Sequence, residues 1–171
     1  SPTWNWLKVN ETPIKWSNKI EPCEIAAEGD AVATETEQLS DIETGAGREA
    51  DAIFATENTA KYQILADNAG QDKTVRLHIS GKKDAHTAGC VEIVAKENST
   101  LTVVMDSRVA PDATKEEDST AEASLAVRVR MKVESGASVR LVQVQMPQEH
   151  ETLLSDIGGN LIGEGAKVEY I

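Results

Sequence analysis

The side chains in this sequence best suited to chemistry are its cysteines and histidines, because thiolate and imidazole are the usual protein ligands of iron. Cys90, His78 and His86 are the candidates for a metal site. Their spacing matches no known site, since Cys23 and Cys90 lie far apart without a CxxC pair and no second ligand accompanies His78. We therefore interpret His78 as a surface histidine on the polar face of a strand. Metal and cofactor ligands stay unassigned.

Cys90 has two interpretations. As an active thiol it needs a neighbouring cation or imidazole that lowers its pKa, and His86 is the nearest candidate in the sequence. As a small apolar residue of the core it needs no partner. The sequence favours the structural role, and it indicates no catalytic residue.

Two glycine-containing stretches resemble phosphate-binding loops only superficially. Gly45-Ala46-Gly47 has neither a preceding strand nor a following Lys-Ser/Thr pair, and residues 81–89 connect two strands without a helix. The acidic residues within 24–43 lack the interleaved spacing of a calcium loop. We interpret them as a solvated acidic surface.

The composition limits the function classes. Asp and Glu outnumber Lys and Arg by 29 to 17 in 171 residues, so nucleic acid and anionic membranes are not expected partners. There is no run of 18 apolar residues, and Ser1-Pro2-Thr3-Trp4 is no signal segment, which predicts a cytoplasmic protein without a membrane span. Two cysteines far apart in the sequence favour reduced thiols over a disulfide framework. An apolar fraction of 40% can bury the core of one domain.

Strands must position these side chains, and one short pattern marks where strands begin. It occurs at 98–103, 136–141 and 165–170, as Asn or Gly, then a small residue, then alternating apolar and polar residues. The copies start 38 and 29 residues apart, which fits coils of one solenoid with loops of different length. A charged, proline-containing stretch at 107–123 is predicted to be the loop that lengthens the first interval.

The clearest strand is predicted at 125–133, where apolar side chains alternate with a basic row. The apolar face is expected to be core. The basic row consists of Arg128, Arg130 and Lys132, and we predict that it is a solvated face.

Two local features depart from regular strands. Ala50, Ile53 and Phe54 fall at helical spacing, which predicts a helix over 48–58. At Leu141-Val142 the apolar alternation slips by one residue, which predicts a bulge or a corner between sheets.

The predicted fold is all-β, specifically a parallel β-helix, with a β-sandwich as the alternative. Residues 1–60 are expected to form a cap, with the three tryptophans as a plug over the end of the core. Residues 61–171 are expected to form the core of the β-helix. The whole chain is predicted to be one domain.

Three stretches carry a family resemblance: residues 3–10 (TWNWLKVN), 91–104 (VEIVAKENSTLTVV) and 163–168 (GEGAKV). They are similar to the SufB/SufD family of iron–sulfur cluster assembly proteins, and most similar to its short SufD-like members. The resemblance implies a right-handed parallel β-helix. It also implies a non-catalytic scaffold that binds a SufC-type ATPase through a C-terminal helical region and helps to build clusters in the cytosol.

The chain departs from the family in its length. Family members are considerably longer, and their cysteine and histidine associated with cluster assembly lie toward the C-terminal end of the β-helix, so no family site residue is carried over. The resemblance implies no cofactor in this fragment and an iron–sulfur cluster only in the full complex. It implies a SufC-type ATPase and a SufB/SufD-type subunit, or a second copy of the chain, as partners.

Two further expectations remain open. The chain stops inside an alternating strand, so we expect a truncated end that associates through the region near Tyr170. The alternative function is a free-standing β-helix domain that binds or cleaves carbohydrate. Such an enzyme needs paired carboxylates, and the spacing of the acidic residues singles out no pair.

Overall fold

A computed structural model describes residues 19–45, 47–110, 123–148 and 151–171. The three tryptophans, most of the 107–123 loop and His150 lie outside these ranges. Within them the chain is mostly strand, which confirms the all-β class. The elements are α1 (Arg48–Phe54), β1 (Ile20–Pro22), β2 (Glu24–Gly29), β3 (Ala33–Glu35), β4 (Ala60–Ala66), β5 (Asp72–Ser80), β6 (His86–Ala95), β7 (Thr100–Arg108), β8 (Ala123–Val133), β9 (Ser138–Gln145), β10 (Glu151–Leu161) and β11 (Lys167–Tyr170).

The strands form two open sheets. Sheet A has the order β10-β8-β6-β4-β3, with β1 beside the first residues of β6, and sheet B has the order β11-β9-β7-β5-β2. From β4 to β11, successive strands alternate between the two sheets, and every pairing among them is parallel. The antiparallel pairs are β2 with β5 and β3 with β4, both at the N-terminal side.

The register of sheet B shows how far the chain travels before it returns to the same position. Asp72 pairs with Thr100, Thr100 with Ser138, and Ser138 with Lys167. Side-chain contacts between neighbouring repeats span the last two of these steps, with partners 38 residues and 29 residues apart, which confirms the predicted intervals. The long interval contains residues 109–122 between β7 and β8, and the other intervals are 28 or 29 positions.

The predicted corners lie one above another. Gly70, Asn98, Gly136 and Gly165 all have a left-handed backbone, with φ between 57° and 77°. Gly70 N–H donates to the Asn98 carbonyl at 3.3 Å, and Gly136 N–H donates to the Glu164 carbonyl at 2.9 Å. Each corner is thus tied to the next. The corner at Gly70 is a fourth copy, which has Asn98 as its neighbour in the stack.

Glycine is required at Gly136 for two reasons. Its φ of 68° disfavours any side chain, and a Cβ at this position would collide with Asn98 Oδ1. The small residues that follow the turns, Ser99 and Ala137, are fully buried. The corner pattern therefore records backbone geometry and close packing.

The core lies between the two sheets and follows the predicted alternation. In β5, Val75, Leu77 and Ile79 are fully buried, and the apolar face of 125–133 packs against them from the other sheet. Burying one such aliphatic side chain contributes about 1.5–3 kcal/mol. The stacked strands therefore supply the main stabilisation of the fold.

The outer face of sheet A is also covered. Helix α1 places Ala50, Ile53 and Phe54 against Ala88 and Cys90 of β6, which makes a second, smaller apolar cluster. The helix was predicted through residue 58, but it ends at Phe54. Within the described ranges, no helix has the length and apolar character needed to cross a membrane.

One other local prediction is wrong. β9 pairs with β7 without interruption through Leu141-Val142, so there is no bulge, and the outer side chains Val142 and Val144 are simply apolar. The pair Gly158-Gly159 lies inside β10. Gly158 is needed there because a Cβ would lie 2.7 Å from the Glu43 carbonyl oxygen.

Candidate functional site

The candidate site lies where the segment before β4 crosses the outer face of sheet A. We call residues 36–45 and 47–55, which include α1, the strap. Thr36 N–H donates to the Lys61 carbonyl at 2.9 Å and holds one end of the strap beside β4. Ile42 is buried, and Glu43 and Thr44 lie directly against Gly158 of β10. The strap thus spans the sheet from β4 to β10.

Arg128 in β8 is the centre of a buried polar network under the strap. Its Nε lies 2.6 Å from Asp156 Oδ2, and its Nη2 lies 2.7 Å from Asp51 Oδ1 in α1. Thr44 Oγ1 donates to the same Asp156 oxygen at 2.6 Å. The guanidinium also stacks over the ring of Phe54, with 4.4 Å from Cζ to the ring centroid. This network fastens the strap, including its helix α1, to the sheet.

The prediction of a solvated basic row is wrong for Arg128, whose side chain is 5% exposed. The strap covers this part of the face, and two carboxylates compensate the charge there. A signal existed in the sequence, because Asp156 follows Arg128 by 28 residues, which is one interval of the repeat. It becomes visible only once the register of β8 and β10 is known.

Glu92 in β6 is a second buried charge that sequence reasoning missed. Its carboxylate accepts hydrogen bonds from Ser40 N–H at 2.8 Å and from Gln63 Nε2 at 2.7 Å. Burial alone would raise the pKa of Glu92, but these hydrogen bonds and the nearby Arg130 charge outweigh burial and lower the pKa from its ordinary value. Glu92 is therefore ionised and holds the strap at Ser40.

Arg130 sits beside Glu92 in the register and is only partly satisfied. Its Nη1 donates to the Ser40 carbonyl at 2.8 Å. Its Nε is buried and finds no acceptor in the part of the chain that the structure describes. Such a group is costly, because a buried donor without an acceptor loses its hydration without compensation.

A cavity of about 660 Å³ separates the strap from the sheet. Its floor belongs to the sheet and contains Lys61, Cys90, Arg128 and Arg130. The opposite side belongs to the strap and carries carboxylates together with the apolar side chains of Leu39, Ile42 and Phe54. The strap carboxylates that line it are Glu37, Asp41, Glu43 and Asp51.

Both cysteines are buried and free. Burial raises the pKa of Cys90 to about 11, although the charges of Arg128 and Arg130 oppose the shift. Burial, with the neighbouring Cys90, raises the pKa of Cys23 to about 12. Neither thiol is ionised near neutral pH, so the cation-activated thiol considered from the sequence has no thiolate to offer.

The structure does not bring the three candidate metal ligands together. Cys90 faces the strap, and His86 lies four residues earlier on the same strand, about 13 Å away at the usual rise per residue. There His86 Nδ1 contacts Ser124 Oγ. Among the described residues, no group of three or more His, Cys, Asp or Glu side chains could hold a metal ion.

His78 lies on sheet B and has partners that its own strand does not reveal. Its Nε2 is 3.7 Å from Glu28 of β2, and its Nδ1 is 3.8 Å from Asp106 of β7. The sequence interpretation, which found no carboxylate at ligand spacing, missed both because they come from neighbouring strands. His78 therefore links three adjacent strands on the surface of sheet B.

Comparisons of the chain with protein-family models, with curated proteins and with solved structures find no match. The geometry must therefore indicate the chemistry by itself. Asp51 and Asp156 both approach the same group, but each binds Arg128 in an ion pair. Their arrangement is suited to fastening the strap, and the adjoining cavity is suited to binding a ligand.

Proposed function

We propose that this chain is a scaffold subunit built as a right-handed parallel β-helix, and that it takes part in iron–sulfur cluster assembly together with a SufC-type ATPase. The observation that carries the proposal is the stacking of parallel strands that alternate between two sheets and return to register after 28, 29 or 38 positions. The family resemblance of residues 3–10, 91–104 and 163–168 supplies the handedness and the biological role.

A stacked arrangement of this kind suits a scaffold. Each coil contacts only its neighbours, so the fold is extended and presents long faces to other proteins. A net charge of −12 disfavours nucleic acid as the partner of those faces. A cytoplasmic location is part of the proposal.

The scaffold is proposed to be non-catalytic. Cys90 is a protonated thiol beneath the strap, and His78 and His86 lie on separate surfaces. In this proposal the cluster is a cargo of the full complex, and its ligands include residues of a SufB/SufD-type partner or of a second copy of the chain.

Co-purification tests this proposal. The full-length protein is expressed with an affinity tag beside a SufC-type ATPase, and we expect the two to elute together from a sizing column at a fixed ratio. The ATPase expressed without the tagged protein is the control for retention on the affinity resin. Failure of the full-length protein to retain the ATPase would contradict the scaffold role in cluster assembly.

A further inference from the structure

We propose that the cavity under the strap binds a small molecule that carries one carboxylate and at least one ammonium group, as amino acids do. Arg130 is the proposed anchor for the ligand carboxylate. This site is independent of the scaffold role, because it lies entirely between the strap and sheet A and needs no partner protein.

The first observation is that the charged side chains around the cavity differ in how many hydrogen-bond and ion-pair partners they have. Arg128 is held by two carboxylates and stacks on Phe54, and Glu92 accepts two hydrogen bonds. Arg130 has one backbone partner and a buried Nε without an acceptor in the described residues. The Arg130 side chain lines the cavity, so a ligand carboxylate there would meet its guanidinium, and a guanidinium is well matched to carboxylate geometry.

The second observation is the polarity of the cavity. All three lining cations, Lys61, Arg128 and Arg130, belong to the sheet. The lining carboxylates belong to the strap on the other side, and Glu37, Asp41 and Glu43 among them are exposed rather than buried in ion pairs. A dicarboxylate would meet repulsion from the strap, whereas an ammonium group on the ligand would be attracted to it.

The third observation concerns size and apolar surface. A volume of about 660 Å³ falls within the usual range of ligand pockets, roughly 300–1,000 Å³. Leu39, Ile42 and Phe54 offer apolar contact between the two charged sides. The cavity thus has cations on the sheet, carboxylates on the strap and apolar contact between them. A ligand with a short aliphatic chain between its carboxylate and its ammonium group fits this arrangement.

Calorimetric titration of the 171-residue chain with two matched probes tests the site. The probes are L-lysine and cadaverine, which is lysine without its carboxylate. We expect saturable binding of lysine and at least tenfold weaker binding of cadaverine. Arg130→Gln should weaken lysine binding at least tenfold. Lys132→Gln, which removes a charge from the same face outside the cavity, should change it less than twofold.

The variants also keep the test interpretable if Arg130→Gln disturbs the strap. Thermal unfolding establishes that each variant is folded, and the double variant Asp41→Asn, Glu43→Gln changes only exposed side chains. We expect this double variant to weaken lysine binding at least threefold. The proposal is overturned if lysine does not bind, if cadaverine binds equally well, or if Arg130→Gln and Lys132→Gln weaken lysine binding equally.

Discussion

Arg128 shows how strongly one buried charge depends on residues that are distant in the sequence. Its partners Asp51 and Asp156 lie 77 and 28 positions away. A buried ion pair adds little over an apolar replacement, but removal of one partner leaves an uncompensated charge. The network therefore makes the attachment of the strap sensitive to single substitutions.

Asp156→Asn is expected to lower the free energy of unfolding by about 3 kcal/mol, because Arg128 loses its fully buried counterion. Urea denaturation measures the change. Glu169→Gln is the matched control, since Glu169 pairs with Arg140 with both side chains 55% exposed, and its loss should cost at most about 1 kcal/mol. Equal effects of the two substitutions would mean that the Arg128 network is not buried.

The cysteines provide a test by pH. Their folded pKa values of about 11 and 12 lie above the ordinary value of 9.0, so folding favours the protonated thiols. This contribution to stability is fully present below pH 9 and is lost as the pH rises through the folded values. At pH 8 we expect iodoacetamide to modify Cys23 and Cys90 slowly in the native protein and rapidly in urea. Equally fast modification in both states would contradict their burial.

At the scale of elements, alternation in the sequence predicted which faces of β7 and β8 form the core. It wrongly placed a bulge or a corner at Leu141-Val142, where β9 pairs with β7 without interruption. The helical spacing of apolar residues also predicted that α1 extends to residue 58, whereas Thr56 Oγ1 donates to the Ile53 carbonyl and the chain turns there. These errors share one cause, which is that local sequence does not reveal the contacts that shape each segment.

The connections from β5 to β6, from β7 to β8 and from β9 to β10 differ in length. Five residues, 81–85 and 146–150, join β5 to β6 and β9 to β10, whereas fourteen residues, 109–122, join β7 to β8. Deletion of residues 112–120 would leave five there as well. We expect the deletion to change the free energy of unfolding by less than about 1 kcal/mol, because loop closure depends weakly on length.

Deletion of residues 82–84 is the control for this variant. It leaves two residues between β5 and β6, whereas the connections from β7 to β8 and from β9 to β10 have at least five, so we expect a cooperative unfolding transition to be lost or strongly shifted. Thermal unfolding followed by circular dichroism compares the two deletions. Loss of folding on removal of residues 112–120 would show that this segment does more than connect β7 to β8.

At the scale of the whole molecule, the repeated corner predicted both intervals between the repeats, 38 and 29 positions, before any register was known. The sequence could not predict that the strap and α1 cover sheet A, because the attachment depends on Glu92, Arg128 and Asp156 meeting across separate strands. The repeat is encoded locally by turn geometry and alternation. The candidate site is encoded by the register between repeats.

The stacking of parallel strands underlies the scaffold proposal, and it can be measured with pairs of spin labels. Thr74, Thr102, Arg140 and Glu169 are successive register neighbours across sheet B. Labels at Thr74 and Arg140 should be separated by two strand spacings, and labels at Thr74 and Glu169 by three, with each spacing about 4.8 Å. Cys23→Ala and Cys90→Ala prevent labelling of the native thiols. Electron paramagnetic resonance should give a label distance about 5 Å longer for the Thr74 and Glu169 pair than for the Thr74 and Arg140 pair, as one further strand spacing requires. An equal or shorter distance would contradict the stacking of these strands.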